Sequence, residues 1–539
     1  MPHRKRKTEY LWLGLIALIV LAYLAVFTVI DFRGFARLCT ADMYEDTLVA
    51  RLMWEQKTLF PANYFFGNQF YIIATPVLSA LFYGLFGSMN RAMAWATLCM
   101  SGLLLLSMAW MLRPCVRRPS LRCAVMLVFL SSIFGPHSVF REDGQQLFFA
   151  MCSFYACYLI CTFFVLGDYL RARQSQALRL PALAASLFLC FCTGMQSLRQ
   201  TCVLILPLLC LEGLYALRCL RRRRPPWPLG QRMRLWRVLA CALANGLGLL
   251  FIRLLPVKRH EIFGGASVFS GASVGEKLRD VHHALITVSG YDFTREGEDR
   301  LFFILMFLAL TGLVLAAFWL ILRRKKENDG SIVLWLVTVL GCLAVIVASF
   351  VTEVQLRPIY LFLYYTLPAL SLAVIAEHAK PRLTGVLVIV LCTLAAANLW
   401  FSYKDDLGFA VSEEPTPAQQ AAEWAVSNGY ELVYGNQSIS APSIAVYADG
   451  ALTAGCWRDD HLFKLSPLIN IRDIYSLDDA KRAVFVFLDY ELPLMRTETE
   501  SNGTEMTFCG QYGIYHLYTA SRQCLWPITE TIDYVPEYN

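Results

Sequence analysis

The sequence predicts an α-helical polytopic membrane protein with a small C-terminal α/β domain outside the membrane. Three observations carry this. The hydrophobic fraction is 57% and the mean hydropathy +0.48. Apolar runs of roughly 20 residues recur along the first 402 positions, the length a helix needs to cross a bilayer. Charge is divided: residues 403–539 sum to −12 and residues 1–402 to +19. A basic membrane part is what the positive-inside rule produces and calls for no nucleic-acid partner. The division predicts two domains, 1–402 and 403–539.

The apolar runs fall at 10–30, 69–87, 92–112, 122–136, 146–167, 180–196, 200–217, 235–256, 301–322, 331–351, 359–377 and 383–402. The first follows a basic N-terminus, exceeds a signal-peptide core and lacks a small-residue cleavage site, so it reads as an uncleaved span. The second carries Pro76 and is flanked by Gly84 and Gly87, which suits an interfacial or re-entrant helix. With that run outside the count, eleven spans remain. The inside connections then hold 25 of the Lys and Arg residues, and a span at 69–87 would reverse the bias. The N-terminus is therefore expected in the cytoplasm and the tail domain outside, with the plasma membrane as location.

Three outer connections exceed hairpin length. The first, 31–91, opens with Asp42, Glu45 and Asp46 on a helical stretch ending at Trp54. Asp42 reads either as an N-cap with Glu45 at N3 or as a catalytic acid/base group. The second, near 135–146, holds His137, Arg141, Glu142 and Asp143. In the third, 257–300, Val274, Leu278, Val281, Leu285 and Val288 recur at helical spacing, with Glu276, Lys277, Arg279, Asp280 and His283 opposite, predicting an amphipathic surface helix. Arg199, Arg253 and Arg357 lie at outer span ends. Arginine forks grip phosphate oxygens and a carboxylate deprotonates an acceptor, so this outer set suits a lipid-linked phosphate. The inside connections look like orientation signals. No P-loop, dinucleotide fingerprint or repeat occurs.

In the tail, 417–427 reads as a helix with proline in its first turn, ended by Asn428-Gly429. Stretches 431–434, 443–447, 483–488 and 512–518 read as strands. The 18 cysteines show no metal spacing; Cys456, Cys509 and Cys524 allow one disulfide in the tail.

Asp42 ahead of Ala50-Arg51, the Pro61/Tyr64 turn, the helix ending Leu85-Phe-Gly87 and the late Arg357-Pro-Ile-Tyr360 with Pro368 resemble the GT-C class of membrane glycosyltransferases, among them protein O-mannosyltransferases and lipid A aminoarabinose transferases. Met43 stands where the family has a second acid. The resemblance implies sugar transfer from a polyprenyl-phosphate carrier to a lipid, glycan or protein acceptor at the outer face. It implies Asp42 and Asp143 as catalytic acids, and Glu45, Asp46, Arg51, His137, Arg141, Arg199, Arg253, Arg357 and Tyr360 around the substrate, with membrane lipid a further partner. It assigns no metal ligands and no definite cofactor, since some members use a divalent metal and others do not. Two other classes stay open: a transporter or flippase of lipid-linked saccharides, which would need midplane charges, and a non-catalytic membrane protein with an outer binding domain.

Overall fold

The computed structural model describes residues 2–62, 64, 66, 69–133, 155–175, 180–221, 229–255, 273–290, 299–323, 329–352, 355–437, 439–458, 461–465, 474 and 481–525. His137, Arg141, Glu142 and Asp143 lie outside them. The described chain forms two compact units. One comprises residues up to 28, 99–255 and 263–407; the other contains Val29–Leu98 and the chain from Gly408 onward.

The first unit is helical. It holds α1 (Pro2–Val29, whose last residue enters the second unit), and most of the apolar helices. We number those relevant below in chain order. In the second unit, α2 (Phe35–Leu38), α3 (Ala41–Glu55) and α4 (Thr75–Phe86) follow α1; then come α5 (Met89–Leu112), which runs on into the first unit, and α6 (Pro119–Ser131), α7 (Ala156–Ser175), α8 (Leu180–Gln196), α9 (Leu206–Arg221), α10 (Leu229–Leu254), α11 (Val274–Val288), α12 (Arg300–Arg323), α13 (Gly330–Val351), α14 (Leu367–His378) and α15 (Pro381–Val411). Among the described residues eight helices are long and apolar enough to cross a membrane, and Thr75–Phe86, Pro119–Ser131 and Leu180–Gln196 are shorter apolar helices. The protein is an integral membrane protein. Each of the eleven expected spans overlaps a helix. At about 1.5 Å per residue α4 is roughly 18 Å long, against about 30 Å of hydrocarbon. Pro76 opens it and Gly87, at φ +66°, closes it. A short helix on a positive-φ glycine stop is what the interfacial reading of 69–87 requires.

Small residues set the helix packing. A Cβ on Gly194 would lie 2.2 Å from the Asn245 carbonyl oxygen, and one on Gly248 2.1 Å from that of Phe191, so α8 and α10 touch backbone to backbone. Charges buried among these helices are paired: Arg237 bridges Asp168, and Tyr169 donates to Glu212, which also has Arg234 at 3.8 Å.

Helix α11 forms where expected, with a Ser273/Glu276 capping box. Its faces depart from the expected division. Val274 and Leu278 are 68% and 55% exposed, whereas Lys277 is buried and donates to the Thr352 carbonyl at 3.2 Å. The lysine reaches the carbonyl end of α13, where the helix dipole favours a cation, and this interaction overrides the apolar stripe at the helix start.

The tail of the second unit carries α16 (Pro417–Ser427), N-capped by Thr416, then β1 (Leu432–Asn436), α17 (Ala441–Tyr447), β2 (Thr453–Arg458), β3 (His461–Leu465), β4 (Ala483–Leu488), α18 (Leu492–Asn502), β5 (Thr507–Tyr512) and β6 (Tyr515–Thr519). The sheet order is β3-β2-β1-β4-β6-β5, with β1 parallel to β2 and β4 and the other pairs antiparallel. The strands at 431–434 and 483–488 form. The strand expected at 443–447 is instead helix α17: Pro442 sits in its first turn and Ile444, Ala445 and Val446 are buried, and a short buried apolar run has no periodicity to separate the two forms. The strand expected at 512–518 is broken by a two-residue hairpin turn whose first central residue, Gly513, has φ +57°. Cys456, Cys509 and Cys524 are all free thiols.

Candidate active site

Helix α3 begins because Thr40 is extended and its Oγ1 accepts from the Met43 amide at 3.4 Å. Thr40, not Asp42, is the N-cap, so Asp42 is released from the capping role and stands exposed in the first turn. Glu45 and Asp46 follow on the same side and are buried, at 9% and 1% exposure. The Tyr64 hydroxyl donates to Glu45 Oε1 at 2.5 Å, and Tyr71 lies within the field of Asp46. Phe66 and Phe70, both buried, pack beside Tyr64 in an edge-to-face cluster that includes Phe60.

This apolar surround sets the electrostatics. Burial pushes the Glu45 carboxyl up from 4.5 to about 7; the Tyr64 hydrogen bond opposes that, and the neighbouring Asp42 charge adds to it. Burial, then the nearby acids, holds Tyr64 and Tyr71 well above the usual phenol range, so both stay protonated donors. Burial and the Asp46 charge likewise raise the Cys39 thiol, which remains un-ionised. The result is an exposed carboxylate beside a buried carboxyl that titrates near neutrality, the property expected of an acid/base catalyst.

Arg51 serves the same unit. Its Nε donates to Glu55 at 2.7 Å and its Nη1 to the Gly450 carbonyl at 2.8 Å, tying α3 to the tail. Tyr44 Oη accepts from the Ala454 amide of β2 at 2.9 Å. Asn90 adds contacts to the Asp449 carboxylate and the Val446 carbonyl at 3.0 and 2.8 Å.

A second cluster lies in the first unit. Arg199 occupies the short turn after α8 and stacks on the Tyr155 ring at 5.2 Å. Tyr158 and Tyr360 also act on its guanidinium, and the Tyr158 hydroxyl pairs with Ser197 Oγ at 2.6 Å. Arg199 and Tyr360, both expected at the site, are therefore brought together. Arg357 N-caps the 3-10 segment Pro358–Thr366 and is exposed, and Arg253 is exposed in the last turn of α10. Tyr71, Tyr155 and Tyr158 were not among the expected residues. Tyr64 and Tyr71 both follow Pro61 at a spacing that carries no periodic signal, and only the fold brings them to the α3 acids.

No protein-family model matches the chain, and no curated protein does. Among solved structures it is similar to ArnT from Cupriavidus metallidurans, both bound to undecaprenyl phosphate and in the apo state. Each alignment has a TM-score of 0.55 at 14% identity and covers 95% of this chain and 99% of that one. The likeness establishes the fold, and the resemblance drawn from the sequence holds at that level.

Proposed function

We propose that this chain, which has the fold of ArnT, is a membrane glycosyltransferase that moves a sugar from a polyprenyl-phosphate carrier to an acceptor at the outer face of the membrane. The reading rests on the first-loop acids: in an ArnT-like fold, an exposed Asp42 stands beside a buried Glu45 that titrates at about 7. The charge-derived topology puts this loop outside.

In the proposed reaction the acceptor hydroxyl or amine attacks the anomeric carbon of the sugar. The bond from that carbon to the phosphate oxygen breaks, and the electron pair leaves with the polyprenyl phosphate. The acceptor's proton passes to the α3 carboxylates, with Asp42 meeting the acceptor and Glu45 setting the pH at which the pair accepts. Arg199, held by Tyr155, Tyr158 and Tyr360, serves the phosphate, with Arg253 and Arg357 as further cations. The ArnT structure bound to undecaprenyl phosphate supports a polyprenyl-phosphate partner. Asp143 is proposed to assist the first-loop acids, and His137 and Arg141 to contact substrate, as the resemblance implies.

The test is turnover of a polyprenyl-phosphate sugar by the purified protein and by Asp42→Asn and Arg199→Ala. Loss of a general base costs about 10²- to 10⁴-fold. A well-folded Asp42→Asn protein with wild-type turnover would remove the acid/base assignment.

A further inference from the structure

A second chemical cluster joins the start of α13 to the end of α14. Asp329 N-caps α13: its Oδ1 accepts from the Ser331 amide at 3.0 Å and from Ser331 Oγ at 2.9 Å. Its Oδ2 lies 2.7 Å from His378 Nε2. Ser331 Oγ is also 2.8 Å from Glu377 Oε2. One donor atom each from Asp329, Glu377 and His378 lies within 4.8 Å of the others. The His378 side chain is 5% exposed and that of Asp329 14%, while Glu377 is open to solvent. The cluster is thus a half-buried imidazole–carboxylate pair with a second carboxylate at its mouth.

An imidazole nitrogen together with carboxylate oxygens matches zinc-type cations, whereas magnesium and calcium take all-oxygen shells.

We propose that Asp329, Glu377 and His378 form a three-donor site for a zinc-type divalent cation that clamps the start of α13 to the end of α14. On the charge-derived topology this end of the helices faces the cytoplasm, so the site is separate from the proposed sugar chemistry and does not depend on it. A bound cation would displace the Asp329–His378 hydrogen bond and take both side chains as ligands.

The experiment uses the full-length protein in detergent, stripped with chelator and titrated with Zn²⁺, with metal content measured after desalting. One equivalent is expected. His378→Asn and Glu377→Gln should each weaken binding by at least about tenfold. Because Glu377 is exposed, Glu377→Gln tests the site even if His378→Asn fails to fold. Absence of stoichiometric Zn²⁺ in the wild type, or wild-type affinity in Glu377→Gln, would show that these side chains form a hydrogen-bonded helix junction only and overturn the proposal.

Discussion

Replacing Tyr64 by Phe removes one oxygen atom and leaves the ring in its aromatic cluster. The lost group is the donor to Glu45 Oε1 at 2.5 Å, the contact that restrains the carboxyl from rising further. A hydrogen bond to a charged group contributes about 1.5–3 kcal/mol. At about 1.4 kcal/mol per tenfold change in proton affinity, Glu45 should move from about 7 to roughly 8–9. At pH 7 the ionised fraction then drops from about one half to between one tenth and one hundredth, a loss of roughly 5- to 50-fold. The measurement is the pH profile of turnover of a polyprenyl-phosphate sugar under single-turnover conditions. Tyr64→Phe should be slow at pH 7 and approach the wild-type rate near pH 9. An inflection unchanged from wild type would mean that Glu45 does not set the pH dependence, and the electrostatic reasoning about α3 would fail.

The same carboxyl makes stability depend on pH. Its proton is held more tightly in the folded than in the unfolded chain, so folding loses stability as pH rises from 4.5 to about 7, by about 3 kcal/mol in total. Glu45→Gln should flatten that slope in denaturation midpoints measured across this range. Gly248→Leu drives a side chain into the Phe191 backbone and should cost at least about 1–3 kcal/mol, read as a lower thermal midpoint with poor yield. Tyr44→Phe leaves the Ala454 amide without its acceptor and should lower the midpoint by about 1–3 kcal/mol without a change in pH profile. Arg199→Lys keeps the charge but loses the planar fork and its stacking on Tyr155, and should reduce turnover with the fold intact, as judged by circular dichroism and a monodisperse elution.

The membrane architecture was legible because an apolar run is a local signal. Charge bias and a Pro76/Gly87 frame single out the α4 stretch, which forms a helix of 12 residues. The tail was readable where strands alternate with turns, as at β1 and β4, and misread where a buried five-residue run or a two-residue turn carried the decision. At the site, the sequence named Asp42, Glu45 and Asp46 but not what separates them. Thr40 takes the cap, which exposes Asp42, and Tyr64 and Tyr71 enclose the other two. Those partners lie about 20 and 25 positions further on, beyond any helical or strand period. Lys277 was placed on the wrong side of α11 because the Thr352 carbonyl that draws it in is 75 residues away.

The bonds between α3 and the tail bear on how the protein is made. Arg51 and Gly450 are 399 residues apart, and Tyr44 and Ala454 are 410 apart. The acid-bearing helix leaves the ribosome about 410 residues ahead of the strand that receives Tyr44. At about 5–20 residues per second the wait is roughly 20–80 seconds. Closing so long a loop adds little entropy cost beyond that of a loop half the length, because the cost grows with the logarithm of length. The burden is therefore one of time. Until the tail arrives, the α3 loop must exist without the partner that fixes its outer side. A ribosome stalled before β2 should hold a chain whose early helices are inserted but whose Tyr44 and Arg51 have no seat. The α3 loop would then gain these bonds only after β2 has been made, so a chain cut before residue 450 would be inserted without them.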